Sequence, residues 1–201
     1  MKKELTAKTF TFGELKGIST KTMEEHLGLY QGYVKNFNAI RANMDALYGT
    51  EGNQLAIAEL ARRLSFEFDG ARLHEIYFAE LEGGSTPLNT SSTLAQAINE
   101  SFPSENPQER IMKLMKNYGS LRGPGWAILY FDPISNQLLP GFVGEQHQGH
   151  FATLPIILAI DVWEHAYLVD QGAQGKGAYI DAFFENLNWS VIENNFVHAT
   201  K

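Results

Sequence analysis

Apolar residues recur at the spacing of an amphipathic helix through most of the first half of the chain. In residues 18–47 this spacing joins five apolar or aromatic positions, namely Met23, Leu27, Tyr30, Val34 and Phe37. Ser19 or Thr20, followed by acidic residues, gives this segment a helix-capping pattern at its start. Residues 54–81 show a second helical pattern, and the Gly- and Asn-rich stretch between the two segments indicates a turn. Two long helices with a short connection predict an antiparallel helical hairpin.

The pattern changes in the second half of the chain, where short apolar runs alternate with shorter helical segments. The residues GWAILYFDPISNQLLPGFVGEQ predict a strand, a turn at DPISN and a second strand, and LPIILAI predicts a third strand. Shorter helices are predicted at residues 93–101 and 107–118. Helical periodicity returns from about residue 163 to residue 196, with a Gly-rich interruption.

A segment rich in Gly, Ser, Thr and Pro, residues 82–92, separates the two patterns. We therefore expect an N-terminal helical hairpin domain over residues 1–85 and a C-terminal α/β domain over residues 90–201. The predicted fold class is α+β, with an N-terminal antiparallel helical hairpin followed by a small three-stranded antiparallel sheet flanked by helices.

Composition narrows the class of protein. The chain has 201 residues, a formal net charge of -7 and no cysteine. The negative charge argues against a nucleic-acid-binding protein, and the lack of cysteine excludes disulfides, thiolate metal sites and thiol nucleophiles. No apolar run approaches the roughly 20 residues of a membrane helix, and the N-terminus lacks the apolar core of a secretory signal. We therefore expect a cytoplasmic enzyme without a nucleic-acid or membrane partner.

Several polar residues that could bind a metal follow the third predicted strand, in the stretch DVWEHAY. Charged groups taken out of water need partners, hydrogen bonds or a metal ion. His26 and His74 lie in the two long helices, and an antiparallel hairpin can bring them face to face. A strand end packed against that hairpin could add Asp161 and His165. Three imidazoles and one carboxylate suit iron or manganese and also tolerate zinc. Each residue alone has an ordinary alternative, such as a core histidine or a helix cap.

The stretch DVWEHAY resembles the signature of the iron/manganese superoxide dismutase family. Four further stretches resemble segments of that family in the same order: ISTKTMEEHLGLYQGYVKNFN, GARLHEIYF, GPGWAIL and AYIDAFFENLNW. The resemblance spans roughly residues 18–195. It implies a superoxide dismutase, which converts superoxide to oxygen and hydrogen peroxide by alternating reduction and oxidation of one bound iron or manganese ion per subunit.

The resemblance also implies a role for each matching residue. The four metal ligands, lying between the two predicted domains, would be His26, His74, Asp161 and His165. Tyr33 matches a tyrosine that borders the substrate channel and relays protons. Trp126 and Trp163 match aromatic residues that wall the metal pocket.

Assembly into a homodimer or a dimer of dimers is a further implication of the resemblance. Glu164 matches a residue that reaches across the dimer interface to the partner's metal-binding histidine, and Tyr167 matches another interface aromatic. Lys176 falls near a position where the family often has arginine, which makes it a candidate for steering superoxide.

The segment between the first ligand and the channel tyrosine is one residue shorter than in many family members. Tyr33 follows His26 by seven residues, and seven steps of about 100° return nearly to the same helical face. We therefore predict a regular helix here, without the extra residue of a π-bulge. The gateway histidine of other members is missing, and Tyr30 or Leu29 occupies its region.

The choice of metal depends on the residue that contacts bound solvent. Iron-type members often carry Gln four residues before the second ligand, where this chain has Gly70, and manganese-type members often supply Gln from the segment before the signature. That segment here is GEQHQGHF. A glycine paired with a histidine resembles members that use iron or either metal, so we expect His147 to contact the solvent and iron to be slightly favoured. The alternatives are Gln146, Gln148 and His150, and we expect Gly70 and Gln148 close behind the ligands.

Two other functions remain open. One is a non-catalytic metal-binding interaction protein on the same fold, against which the intact ligand set argues. The other is a metal-dependent hydrolase, which needs an open site and a general base near metal-bound water. Only Tyr33 and His147 are placed for that work, and neither is typical of it.

Overall fold

Two long antiparallel helices and a three-stranded sheet organise the chain. In the computed structural model, which describes residues 3–201, the α-helices are α1 (Thr20–Leu47), α2 (Gln54–Leu81), α3 (Thr93–Ser101), α4 (Pro107–Gly119), α5 (Leu168–Gln171), α6 (Lys176–Asn186) and α7 (Trp189–Ala199). The strands are β1 (Gly125–Asp132), β2 (Gln137–Gly144) and β3 (Ile156–Asp161), and a 3-10 turn (Glu164–Ala166) follows β3. The predicted α+β fold class is therefore confirmed. Among the described residues, no helix combines the length and the apolar character that crossing a membrane requires.

Side-chain caps fix where several helices begin. The Ser19 hydroxyl accepts the Thr22 N–H at 3.2 Å at the start of α1, and the Ser92 hydroxyl accepts the Ala95 N–H at 3.1 Å at the start of α3. These hydroxyls pair with N–H groups that the first turn of a helix leaves without an internal partner. Ser19 is thus the cap of the first helix as predicted, whereas the acidic residues that follow lie beyond its first turn.

The sheet has the strand order β2–β1–β3, and both pairs are antiparallel. The central strand β1 is buried along nearly its whole length, because helices and loops cover both faces. Trp126 at its start lies opposite Val143 of β2 and Asp161 of β3. This register places a large aromatic side chain beside the last residue of β3.

Side chains from two helices pair with the outer edge of β3. The Glu80 carboxyl group in α2 accepts the Ala159 N–H at 3.1 Å, and the Asn195 amide in α7 donates to the Ile157 carbonyl at 3.1 Å. An open strand edge would leave such groups unpaired. Glu80 therefore ties α2 directly to the strand that ends at Asp161.

The segment before α1 lies across the helices without regular structure, and two asparagine side chains hold it. The Asn38 amide accepts the Leu5 N–H at 2.9 Å and donates to the Leu5 carbonyl at 2.8 Å. The Asn186 amide makes the same pair of bonds with Lys16, at 2.9 Å and 2.8 Å. Each asparagine thus replaces the strand neighbour that an extended segment would otherwise need.

Candidate metal centre

His26 and His74 meet inside the helical hairpin, one from each long helix. Both side chains are fully buried, and their ring centres lie 4.9 Å apart with nearly perpendicular planes. Tyr77 and Phe78 pack against the His26 ring at 4.9 Å and 5.1 Å between centres. The two imidazoles are therefore held in a dry, aromatic environment.

The end of β3 and the turn after it bring Asp161 and His165 to the same place. Asp161 Oδ2 lies 3.2 Å from His26 Nε2, 3.0 Å from His165 Nε2 and 3.5 Å from His74 Nε2. The other carboxylate oxygen accepts the Trp163 N–H at 2.8 Å, which fixes the orientation of the group. One donor atom from each of the four residues lies within 4.8 Å of the others, and residues 3–201 contain no second group of this kind.

Burial and mutual charge set the protonation of the cluster. Burial opposes ionisation of Asp161, but His165 and His26 hold its pKa below the ordinary range for aspartate. Burial lowers the pKa of His26, and burial together with the neighbouring His26 lowers the pKa of His74 to about 3. The partly exposed His165 behaves differently: burial acts to lower its pKa, yet Asp161 raises it overall. The inner cluster is thus a carboxylate surrounded by imidazoles, two of which are neutral at physiological pH.

The hydrogen bonding of His74 shows whether these residues fit a metal ion. Its Nδ1 lies 2.6 Å from the Gly70 carbonyl oxygen, which requires the proton to be on Nδ1 in the neutral ring. The Nε2 lone pair then faces the cluster, and this buried atom has no hydrogen-bond partner among the described residues. A buried acceptor without a donor is costly, and a cation removes that cost. Imidazole nitrogens and one carboxylate are a donor set that iron and manganese accept.

Tyr33 lies beside the cluster on the same face of α1 as His26. Helix α1 is a continuous α-helix from Thr20 to Leu47, so the predicted regular helix between His26 and Tyr33 is present. The Tyr33 ring lies 5.1 Å from the His74 ring. Burial, with the negative charges of Asp161 and Glu67, raises the pKa of the Tyr33 hydroxyl far above its usual value. Tyr33 therefore keeps its proton at neutral pH.

Gln146, which the sequence named only as an alternative to His147, lies buried between Tyr33 and Trp126. Its side chain is fully buried, and its amide donates to the Tyr33 hydroxyl at 2.9 Å and accepts from the Trp126 indole N–H at 2.7 Å. His147 instead packs its ring on Phe66, with 5.6 Å between centres. Its Nδ1 has no hydrogen-bond partner among the described residues.

The loop after β2 explains this difference. Gly144 and Gln148 exchange backbone hydrogen bonds of 2.8 Å and 3.1 Å, which closes a tight loop over residues 144–148. Glu145 has a positive φ of 51°, and the next residue, Gln146, turns into the protein. Gln148 is exposed, so it does not lie behind the ligands as expected. A sequence pattern does not predict which residue of such a loop points inwards, because the inward direction depends on the backbone turn at Glu145.

Gly70 makes room for Tyr33. A Cβ atom at this position would lie 2.7 Å from Tyr33 Cδ1, a distance at which one of the two groups must move. The carbonyl of the same residue fixes the tautomer of His74. The expectation that Gly70 lies close behind the ligands thus has a physical basis, although glycine contributes no side chain.

The two predicted pocket tryptophans lie on either side of the cluster. The Trp126 ring lies 5.1 Å from the His74 ring, and the Trp163 ring is stacked on His165 at 6.0 Å. The Trp163 indole N–H donates to the Glu145 carbonyl at 3.1 Å. Trp126 is fully buried whereas Trp163 and His165 are partly exposed, so the cluster lies nearer to solvent on the Trp163 side.

The residues expected at a subunit contact differ in exposure. Glu164 is exposed, whereas Tyr167 is almost fully buried within the single chain and packs on Tyr179 at 6.1 Å. In the region of the missing gateway histidine, Tyr30 is fully buried and Leu29 is 42% exposed. Tyr30 accepts the Lys8 N–H at 2.8 Å, and so it serves the packing of the N-terminal segment.

Known proteins match this chain over most of its length. Residues 90–195 match the family described as iron/manganese superoxide dismutases, C-terminal domain. A protein named superoxide dismutase (Fe) from Pyrobaculum aerophilum is 33% identical over 188 residues, which are 90% of this chain and 85% of that protein. One of the same name from Aquifex aeolicus is 32% identical over 93% of this chain and 88% of its own length. A protein named superoxide dismutase (Mn) from Mycolicibacterium fortuitum is 29% identical over 87% of this chain and 82% of its own length.

Proposed function

The chain belongs to the iron/manganese superoxide dismutase family, and we infer that it converts superoxide to oxygen and hydrogen peroxide. The observation that carries this inference is the buried group of His26, His74, Asp161 and His165, whose donor atoms lie within 4.8 Å of one another. One bound iron or manganese ion per subunit supplies the one-electron change that oxidises one superoxide and reduces the next.

We propose that these four residues hold the ion, each histidine through Nε2 and Asp161 through Oδ2. Three observations support this arrangement. The three Nε2 atoms lie within 3.5 Å of Asp161 Oδ2, the His74 tautomer leaves its Nε2 lone pair free, and the Trp163 N–H occupies the other carboxylate oxygen. Backbone groups that orient a ligand in this way are a common feature of metal sites.

We propose that Tyr33 and Gln146 manage the protons that peroxide formation consumes. Since the Tyr33 oxygen accepts from the Gln146 amide, the Tyr33 proton is free to point towards the pocket. The Gln146 amide is itself fixed by the Trp126 indole N–H. Gln146 rather than His147 then contacts bound solvent, because it is the buried residue that touches both Tyr33 and the pocket wall.

The pairing of Gly70 with Gln146 and the names of the relatives favour different metals. A glutamine from the segment before the signature resembles the manganese-type members, whereas the relatives from Pyrobaculum aerophilum and Aquifex aeolicus are named for iron. We propose that the site accepts either ion. Reconstitution of metal-free protein with each ion, followed by metal analysis and a superoxide-consumption assay, tests this proposal.

We further propose that the chain works as a homodimer or a dimer of dimers through the surface around Glu164. Glu164 is exposed and lies one residue from His165, the one partly exposed member of the cluster. Leu168 and Val169, just beyond, are 50% and 42% exposed, which supplies apolar area for a contact. In Glu164→Ala the dimer should weaken, as sedimentation velocity would show. The matched control is Glu100→Ala on α3, also exposed, and an equal effect of the two changes would refute the contact.

Replacement of one ligand tests the proposed site directly. Asp161→Ala should lose bound metal and superoxide consumption together, whereas Asp181→Ala, at an exposed carboxylate paired with Lys116, should keep both. Full metal content and activity in Asp161→Ala would show that the ligand assignment is wrong. Stoichiometric iron or manganese in the native protein without activity would favour the non-catalytic alternative. The cytoplasmic location is a further proposal, which fractionation of cells that express the protein tests.

A further inference from the structure

A cationic side chain, Arg63, stacks on an aromatic ring that lies beside Tyr33. The Arg63 guanidinium carbon lies 3.6 Å from the centre of the Phe66 ring. Phe66 in turn lies 5.9 Å from Tyr33, 5.6 Å from His147 and 6.4 Å from Trp163, measured between ring centres. Phe66 is only 7% exposed, and Arg63 stacks on its ring.

A buried carboxylate holds this arginine in place. Arg63 Nε lies 2.8 Å from Glu67 Oε1, and the two side chains are 48% and 3% exposed. The second Glu67 oxygen accepts from the Asn36 amide at 3.4 Å. The pair is therefore asymmetric, since its negative member faces the protein and its positive member faces the solvent.

The neighbouring arginine shows what an ordinary surface cation looks like in this helix. Arg62 is 68% exposed and pairs with Glu59, which is 61% exposed. Both members of that pair face water, where their charges are screened and nearly cancel. The Arg63 guanidinium, by contrast, stacks on Phe66, whose ring centre lies 5.9 Å from that of Tyr33.

We propose that Arg63 steers superoxide into the pocket, as a cation fixed at the entrance by Glu67 and stacked on Phe66. This inference rests on superoxide as the substrate. The chain carries a net charge of -7, which repels an anion at long range, so a local positive group is needed to favour approach. Lys176 is less free for this role, because its ammonium group donates to the Leu121 and Gly123 carbonyls at 3.0 Å and 3.3 Å.

The test compares the ionic-strength dependence of kcat/KM in four metal-loaded proteins: the native enzyme, Arg63→Gln, Arg63→Lys and Arg62→Gln. At low ionic strength Arg63→Gln should be about three-fold slower, a modest share of the range that steering covers. The difference should vanish near 1 M salt, where the screening length is about 3 Å. Arg63→Lys, which keeps the charge, and Arg62→Gln should both follow the native curve. An equal loss in Arg62→Gln, or a loss in Arg63→Lys as large as in Arg63→Gln, would overturn the proposal.

Two additions keep the test decisive. Arg63→Gln leaves Glu67 buried without its partner, so the double variant Arg63→Gln/Glu67→Gln serves if the single variant does not fold. The proposal requires the double variant to have a lower kcat/KM than the native enzyme at low salt as well, though by a smaller factor. A native or higher kcat/KM would refute the proposal.

Azide, a small monovalent anion, gives a readout besides turnover: its Kd should rise about three-fold in Arg63→Gln at low salt only. A native enzyme without superoxide consumption would contradict the function itself, whereas native activity with unchanged salt dependence in Arg63→Gln would contradict only the role of Arg63.

Discussion

The two ends of the helical hairpin have similar sequence patterns but very different surroundings. At its base, where residues 20–40 of α1 face residues 66–81 of α2, the sheet and the C-terminal helices cover the helices, and His26, His74 and Phe78 are fully buried. At its tip, over residues 41–65, no side chain is fully buried, and Leu55 is 78% exposed. The same periodicity therefore yields a rigid, dry site at one end and a solvated two-helix projection at the other. The periodicity of a sequence shows which face of a helix is apolar. How deeply that face is buried depends on the elements that pack against it.

The largest effect should come from removing an aromatic ring at the base. Phe78 packs on His26 and His74, with ring centres 5.1 Å and 5.9 Å away, so Phe78→Ala leaves a cavity beside two proposed ligands. We expect the free energy of unfolding to fall by about 3–5 kcal/mol and metal affinity to fall with it. Chemical denaturation and metal titration measure these losses.

Phe68 provides the control for that change. It lies ten residues earlier in α2, is 37% exposed and packs on Phe37 at 5.4 Å. Phe68→Ala should cost much less stability and leave metal affinity unchanged. Equal losses in the two variants would show that the buried and the partly exposed faces of α2 do not differ as described.

A second prediction concerns a glycine at the base. In Gly70→Ala the new Cβ would lie 2.7 Å from Tyr33 Cδ1, so the ring must move and the Gln146 contact must change. A displacement of this size costs up to about 100-fold in activity, which steady-state assays at full metal occupancy would detect. Gly28→Ala in α1 is the control, since its Cβ has no atom within 4 Å, and it should raise helix stability by about 0.5–1 kcal/mol. Native activity in Gly70→Ala would contradict the packing role of this glycine.

The sequence predicts the hairpin, the strands and the four clustered residues because each depends on local periodicity or on a motif. Asp161 and His165 are four residues apart at a strand end, and His26 and His74 lie on helices whose antiparallel pairing follows from a short turn. The inward direction of Gln146 does not follow from such patterns. It depends on the positive φ of Glu145 and on the Gly144–Gln148 bonds, which are set by tertiary structure.

The burial of Glu80 is a feature that the helical periodicity of the sequence does not predict. A glutamate in the last turn of an amphipathic helix is ordinarily solvated, yet this one is fully buried and pairs with the free edge of β3. The hydrogen bond is non-local, since it joins residues 79 positions apart in the sequence. A partner so far along the chain becomes visible only when the sheet is placed against α2.

The third prediction uses this buried carboxyl group. Burial raises the pKa of Glu80 well above that of an exposed glutamate, so the folded state favours the protonated group. The contribution of protonated Glu80 to the free energy of unfolding is fully present at pH values below the pKa of the unfolded state. It is lost as the pH rises through the pKa of the folded state. Glu80→Gln keeps a carbonyl acceptor and cannot ionise, so its advantage over the native protein should grow from pH 5 to pH 8, to about 1–3 kcal/mol.

Denaturation of the metal-loaded proteins at several pH values measures that difference. Glu100→Gln, at an exposed position on α3, should show the native dependence on pH and serves as the control. Parallel stability curves for Glu80→Gln and the native protein would show that Glu80 does not ionise at a cost in the folded state.

The smallest effect should come from the tip of the hairpin. Leu55 is 78% exposed at the start of α2, so Leu55→Ala removes few contacts within one subunit and should change the free energy of unfolding by no more than about 0.5 kcal/mol. Activity and metal content should stay at native values, because the tip lies outside the layers that surround His26 and His74. Denaturation and sedimentation velocity on the same samples check both statements. A loss of several kcal/mol together with a smaller assembly would mean that another subunit covers Leu55, and the tip would then be buried in the assembled protein as the base is within one chain.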